Sequence, residues 1–141
     1  MSMPVSSVCR LYEAIMLWSV TYGPSDHGRG VYATKAFTEG ELIERCPLVI
    51  IPRPQLRYLD KTELYNYYFD WNGDAAFALG LGSLYNHSYS SNARCERDQD
   101  RRELHIIAQR PIAYGEEICI NYLGEPDSKG YLWFSTDEYP L

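Results

Sequence analysis

The sequence predicts a mostly β fold in a single domain, and three observations predict it. The apolar segments are short, they are set off by Gly, Pro and Asp, and no linker, low-complexity tract or long repeat divides the 141 residues. The first predicted strand, 15–22, ends at Gly23-Pro24, and the second, 31–36, follows the glycines at 28 and 30. The third, 42–51, begins after Gly40 and is closed by Pro52 and Pro54, since proline cannot donate to a ladder. A short helix is expected near 55–60. The fourth strand, 75–79, lies between Gly73 and Gly80, and a helical turn is expected around 82–85. The fifth and sixth, 93–97 and 104–109, flank the polar stretch 98–102, which reads as a hairpin turn. The last, 117–122, lies between Gly115 and Gly124.

A short internal echo runs through these elements. Lys-Ala-Phe-Thr-Glu-Gly-Glu-Leu-Ile at 35–43 matches Arg-Pro-Ile-Ala-Tyr-Gly-Glu-Glu-Ile at 110–118. Each copy reads as a turn in which glycine takes a positive φ and a strand begins at once. Chance likeness of two turns would look the same.

Composition narrows the function classes. Hydrophobic residues make up 45% and charged residues 23%, as in ordinary soluble domains. The longest apolar runs, such as Ala14 to Trp18, fall far short of the roughly 20 residues of a membrane helix. No basic segment followed by a long apolar one opens the chain, so an intracellular location, cytoplasm or nucleus, is expected. The net charge is −6, and Arg97, Arg101 and Arg102 are interleaved with Asp98, Asp100 and Glu103. That balance argues against binding nucleic acid and suits a cationic partner. Cys9, Cys46, Cys95 and Cys119 are scattered without zinc-site spacing, so no metal is expected and the thiols read as reduced. Thirteen tyrosines exceed what core filling needs, because a buried phenol requires a partner, so some should line a site.

Three segments could carry chemistry. Gly28-Arg29-Gly30 precedes a strand; its glycines allow a ligand to approach the backbone and Arg29 could meet a carboxylate, although a plain turn fits as well. Asn86-His87-Ser88 concentrates hydrogen-bonding groups after a run of small and apolar residues, either as a site or as a capped turn. Gly115-Glu-Glu-Ile118 leads into a strand ending at Asn121-Tyr122. The aromatic tail 130–134 could cover a flat ligand ring or seal the core.

Together, and in this order, these segments resemble the SET-domain family of protein lysine methyltransferases. Gly28-Arg29-Gly30 is similar to its first cofactor motif, Leu84-Tyr-Asn-His-Ser88 to its Asn-His-Ser motif, and Gly115-Glu-Glu-Ile118 with Tyr122 to its Gly-Glu-Glu motif and catalytic tyrosine. Tyr67-Tyr-Phe-Asp-Trp71 ahead of Ala78-Leu-Gly80 resembles a segment of compact members. The likeness runs over about 28–124 and is greatest to minimal, stand-alone viral and bacterial SET proteins. Asn121 stands where many members have Asp, and a cysteine-rich zinc-binding tail is missing.

The resemblance implies several small curved sheets, few short helices and a knot-like C-terminal arrangement near Asn86 and Tyr122, filling one domain over 1–141. It also implies methyl transfer from S-adenosyl-L-methionine to a lysine side chain of a basic protein, a histone among the candidates, with donor and peptide on opposite faces joined by a channel. Gly28, Arg29, Gly30, Asn86 and His87 would hold the donor. Trp133, with Tyr131, would cover it from the tail 125–141. Tyr67, Tyr85 and Tyr122 would wall the channel, with Tyr122 catalytic. A homodimer is expected by the same likeness. The competing reading is a SET-like binding module without turnover.

Overall fold

The computed structural model describes residues 19–123, which form two sheets joined by turns. In the first, β1 (Val20–Ser25) and β2 (Gly28–Ala33) make a hairpin closed by Asp26-His27. Strand β9 (Glu117–Ile120) pairs antiparallel with β2, and β6 (Asn86–His87) runs parallel to β9, giving the order β1-β2-β9-β6. The second sheet has the order β4-β5-β3-β8-β7. Its centre is β3 (Leu42–Ile51), whose first half pairs with β8 (Glu103–Ala108) and whose second half pairs with β5 (Asp74–Ala78). Strands β4 (Phe69–Trp71) and β7 (Ala93–Asp98) form the edges.

The core lies between the sheets. Val31, Ile106, Ile112, Ile118 and Ile120 are all at most 1% exposed, and each buried side chain of that size contributes about 2 kcal/mol. Strands β2 and β9 supply Val31, Ala33, Ile118 and Ile120, while β8 supplies Leu104, Ile106 and Ala108. Alternation along β9 therefore sends Ile118 and Ile120 inward and fixes its register.

The echo is a structural repeat. Gly40 and Gly115 have φ of 83° and 81°, the left-handed region that glycine enters without a Cβ penalty. Glu41 accepts from the Thr38 N–H at 2.9 Å, and Glu116 accepts from the Ala113 N–H at 2.8 Å. Phe37 and Ile112 join the two turns as an antiparallel bridge, bonded both ways. The strand after each turn pairs with the strand before the other: β3 with β8, and β9 with β2. This approximate twofold exchange ties the two sheets together.

Most expected elements form, with shifts that have physical causes. Strand β1 starts at Val20 and runs through Gly23-Pro24 to Ser25, because its edge position lets Pro24 pair without donating. Residues 15–18 of the expected strand lie outside the described residues. Beyond Pro52 the chain makes a 3-10 turn (Arg53–Gln55) and then α1 (Leu56–Leu59), where a short helix was expected. Around 82–85 there is a hydrogen-bonded turn, Leu84 N–H to the Leu81 carbonyl at 2.9 Å, and no longer helix. No described helix is long and apolar enough to cross a membrane.

Candidate active site

Asn86 stands where β1, β2, β6 and β9 meet. Its amide nitrogen reaches the Glu117 carboxylate at 2.8 Å, the Arg29 carbonyl at 2.9 Å and the Ser25 hydroxyl at 3.1 Å. These bonds draw the Gly28–Gly30 segment onto the Asn-His strand, across 57 residues of sequence. Gly30 is part of the same joint. A Cβ there would collide with the Glu117 carboxylate and come within 3.1 Å of the Asn86 amide, so this glycine makes room for protein atoms. Gly28 differs: among the described residues nothing lies within 4 Å of where its Cβ would stand.

His87 and Tyr122 are a second joint. The Tyr122 N–H donates to His87 Nδ1 at 3.0 Å, so Nδ1 must be unprotonated and the ring proton sits on Nε2. Burial lowers the His87 pKa, and the nearby His27 lowers it further, so the ring is held neutral. The Tyr122 ring lies 5.3 Å from the His87 ring, and Tyr89 packs edge-on against His87 as well, at 4.4 Å. The Tyr122 hydroxyl donates to the Tyr85 carbonyl at 2.6 Å, and burial pushes its pKa well above the ordinary tyrosine range. The phenol is protonated at neutral pH.

Tyr85 is held from behind. It is 1% exposed, and its hydroxyl donates to Glu44 Oε1 at 2.7 Å, while Glu44 Oε2 accepts from the Leu81 N–H at 2.9 Å. One carboxylate on β3 thus fixes both the turn before the Asn-His strand and the ring whose carbonyl receives Tyr122. Asn92, 3% exposed, does similar work on the far side. It donates to the Glu117 carbonyl and accepts from the Cys119 N–H, each at 2.8 Å, and so pins the loop after β6 to β9. Asn121, 6% exposed, accepts from the Leu123 N–H at 3.0 Å and turns the chain just past Tyr122.

Two cavities meet at Tyr122. The smaller, about 200 Å³, is bordered by His27, Gly28, Arg29, Leu84 and Asn86. The larger, about 350 Å³, is bordered by Tyr68, Phe69, Asp70, Tyr85, Cys95, Arg97 and Asn121, among others. Asn66, Tyr67, Ser83 and Tyr122 line both. Gly28, Arg29 and Asn86 thus border the smaller cavity and Tyr68, Phe69 and Tyr85 the larger, with Tyr67 and Tyr122 in both. Gly30 and His87 stand behind as supports. Tyr85 borders the larger cavity, but its hydroxyl is committed to Glu44. Trp133 and Tyr131 lie outside the described residues. Cys46, Cys95 and Cys119 are free thiols; Cys9 falls outside the description. Among the described residues Asp98, Glu103 and His105 form a group whose ligand atoms could meet a metal, but Glu103 is held by Arg45 through two hydrogen bonds of 2.8 and 3.0 Å.

A β domain in which a Gly-x-Gly segment opening a strand, an Asn-His strand and a tyrosine just past β9 converge through a parallel β6–β9 pair has the architecture of a SET domain. The family model described as the SET domain matches residues 28–123, and the chain belongs to that family. It is similar to the Schizosaccharomyces pombe histone-lysine N-methyltransferase, H3 lysine-37 specific, at 30% identity over 112 residues, covering 78% of this chain and 72% of that protein. It is also similar to the Xenopus tropicalis N-lysine methyltransferase KMT5A, at 33% identity over 110 residues. That match covers 67% of this chain but spans 33% of the relative's length. The crystal structure of a candidate histone methyltransferase from Plasmodium falciparum superposes with a TM-score of 0.63 at 28% identity, covering 82% of this chain and 96% of that one.

Proposed function

We infer that this protein transfers a methyl group from S-adenosyl-L-methionine to the side-chain amine of lysine in a basic protein. The observation that carries the reading is the pair of cavities that share Tyr122 and Tyr67. An in-line displacement needs donor and acceptor on opposite sides of one point, and alignment is its main source of acceleration. Lysine methyltransferases among the relatives supply the reaction class.

The residues of the smaller cavity fit the donor. Arg29 is exposed and makes no ion pair among the described residues, which suits a carboxylate, and the space at Gly28 lets a ligand reach the backbone. When bound, the donor supplies a methyl group on a positively charged sulfur. On the other side, Tyr67 and Tyr122 offer ring faces that attract an ammonium, and a low-dielectric cleft favours its neutral form. The Tyr122 hydroxyl donates its own proton to the Tyr85 carbonyl, and its oxygen orients the amine. It acts by positioning, not as a base.

The test is incubation of the purified protein with methyl-labelled donor and a pool of basic proteins, beside the same pool with its lysines chemically blocked. Label on the unblocked pool, lost in Tyr122→Phe, supports the reading. Donor binding with no transfer to either pool would instead identify a binding module.

A further inference from the structure

The larger cavity holds a charge that the transfer reaction does not use. Asp70 is the central residue of β4, an edge strand, and pairing with β5 sets Phe69 and Trp71 toward the protein, with Asp70 exposed between them. Phe69 packs against the core and Trp71 is 6% exposed, so the strand is anchored on both sides of the carboxylate. Asp70 lines the same cleft as Tyr67 and Tyr122. Its carboxylate forms no hydrogen bond or ion pair among the described residues. The cation of that cleft, Arg97, sits 5.5 Å over the Trp71 ring, and no ion pair joins it to Asp70.

We propose that Asp70 is a specificity-determining residue that receives a second basic side chain, one beside the target lysine in the substrate. An extended peptide advances about 3.3 Å per residue, so a lysine seated between Tyr67 and Tyr122 sets its neighbours within the same cleft. An unpaired carboxylate there favours Arg or Lys over a neutral or acidic neighbour. Arg97 limits how far the preference can extend, because it repels the same group. For a solvent-exposed pair the discrimination is roughly two- to fivefold.

The proposal rests on the lysine-methylation reading, and the experiment separates the two. A peptide set holds one lysine fixed and walks a single Arg, Ala or Glu through the flanking positions. Methyl transfer and fluorescence-anisotropy binding are measured on each peptide, with wild type, Asp70→Asn and Asp70→Arg. The expected result is a position at which wild type prefers Arg to Ala by roughly two- to fivefold in kcat/KM and in affinity. That preference disappears in Asp70→Asn and turns toward Glu in Asp70→Arg. An Arg preference that survives in Asp70→Asn, or no preference at any position, overturns the proposal. No transfer to any peptide, with the Arg-against-Ala binding difference intact and dependent on Asp70, sinks the enzyme reading and leaves the role of Asp70 standing.

Discussion

The Tyr122 hydroxyl donates to the main-chain carbonyl of Tyr85 at 2.6 Å, so the chain just past β9 is fastened to the residue just before the Asn-His strand. The bond fixes where the phenol oxygen stands between the two cavities. Tyr122→Phe keeps the ring and removes the oxygen. Turnover is expected to fall roughly 10²-fold, the scale of losing alignment at a reacting centre. Stability should drop by only about 1 kcal/mol, the net worth of one hydrogen bond. Single-turnover methyl transfer beside urea unfolding separates the two effects.

Glu44 makes a sharper stability prediction. Glu44→Ala leaves the buried Tyr85 hydroxyl and the Leu81 N–H without their acceptor, and each orphaned group costs about 1–3 kcal/mol. Glu44→Gln retains an acceptor for Tyr85 and is expected to lose less than half as much. Chemical denaturation of both variants checks the order. Equal losses would mean that the carboxylate does not hold the Tyr85 ring.

Gly30 tests whether the glycine turn is a joint. Gly30→Ala alone drives a methyl into the Glu117 carboxylate and is expected to cost about 1–3 kcal/mol. In a Glu117→Ala background the carboxylate clash is gone and only the 3.1 Å approach to the Asn86 amide remains. The double-mutant cycle should therefore show a favourable coupling of about 1 kcal/mol or more. Strict additivity would refute the contact.

The pH dependence follows from His87. Burial lowers its folded-state pKa, so between the ordinary value near 6.5 and the lower folded value the unfolded chain binds more protons. Stability is therefore fully present above about pH 6.5 and declines as pH falls below it. His27→Gln removes the second cause of the shift and should make the decline shallower. Thermal unfolding from pH 7.5 to 5.5 measures both; a Tm that rises on acidification would reverse the sign and the argument.

Much of this was legible in the chain because the long strands carry alternating apolar residues between strong punctuators. Strands β3, β7 and β8 fall within a residue of expectation for that reason. Strands β4 and β6 did not announce themselves. Three residues and two residues are too few to show a period, and β6 exists because β9 runs beside it. The site motifs were readable from residue type and order, yet their division of labour was not. Gly30 reads as room for a ligand, and in the structure a Cβ there would also meet Glu117 and Asn86. Tyr85 reads as a channel wall; it borders the larger cavity, and its hydroxyl is bound to Glu44. Glu44 and Asn92 were invisible beforehand, because a carboxylate on a strand and an amide in a loop read as surface until distant backbone comes to meet them. A weak signal did exist for Asn92, a polar residue directly before the buried Ala93.

The most direct measurement is a crystal structure of the protein with S-adenosylhomocysteine and a lysine peptide bound together. The sulfur is expected in the cavity bordered by Gly28, Arg29 and Asn86, the lysine nitrogen in the cleft of Tyr67, and the Tyr122 hydroxyl between them within hydrogen-bonding reach of the nitrogen. A donor product seated away from Gly28 and Asn86, or a lysine that enters without passing Tyr122, would contradict the account.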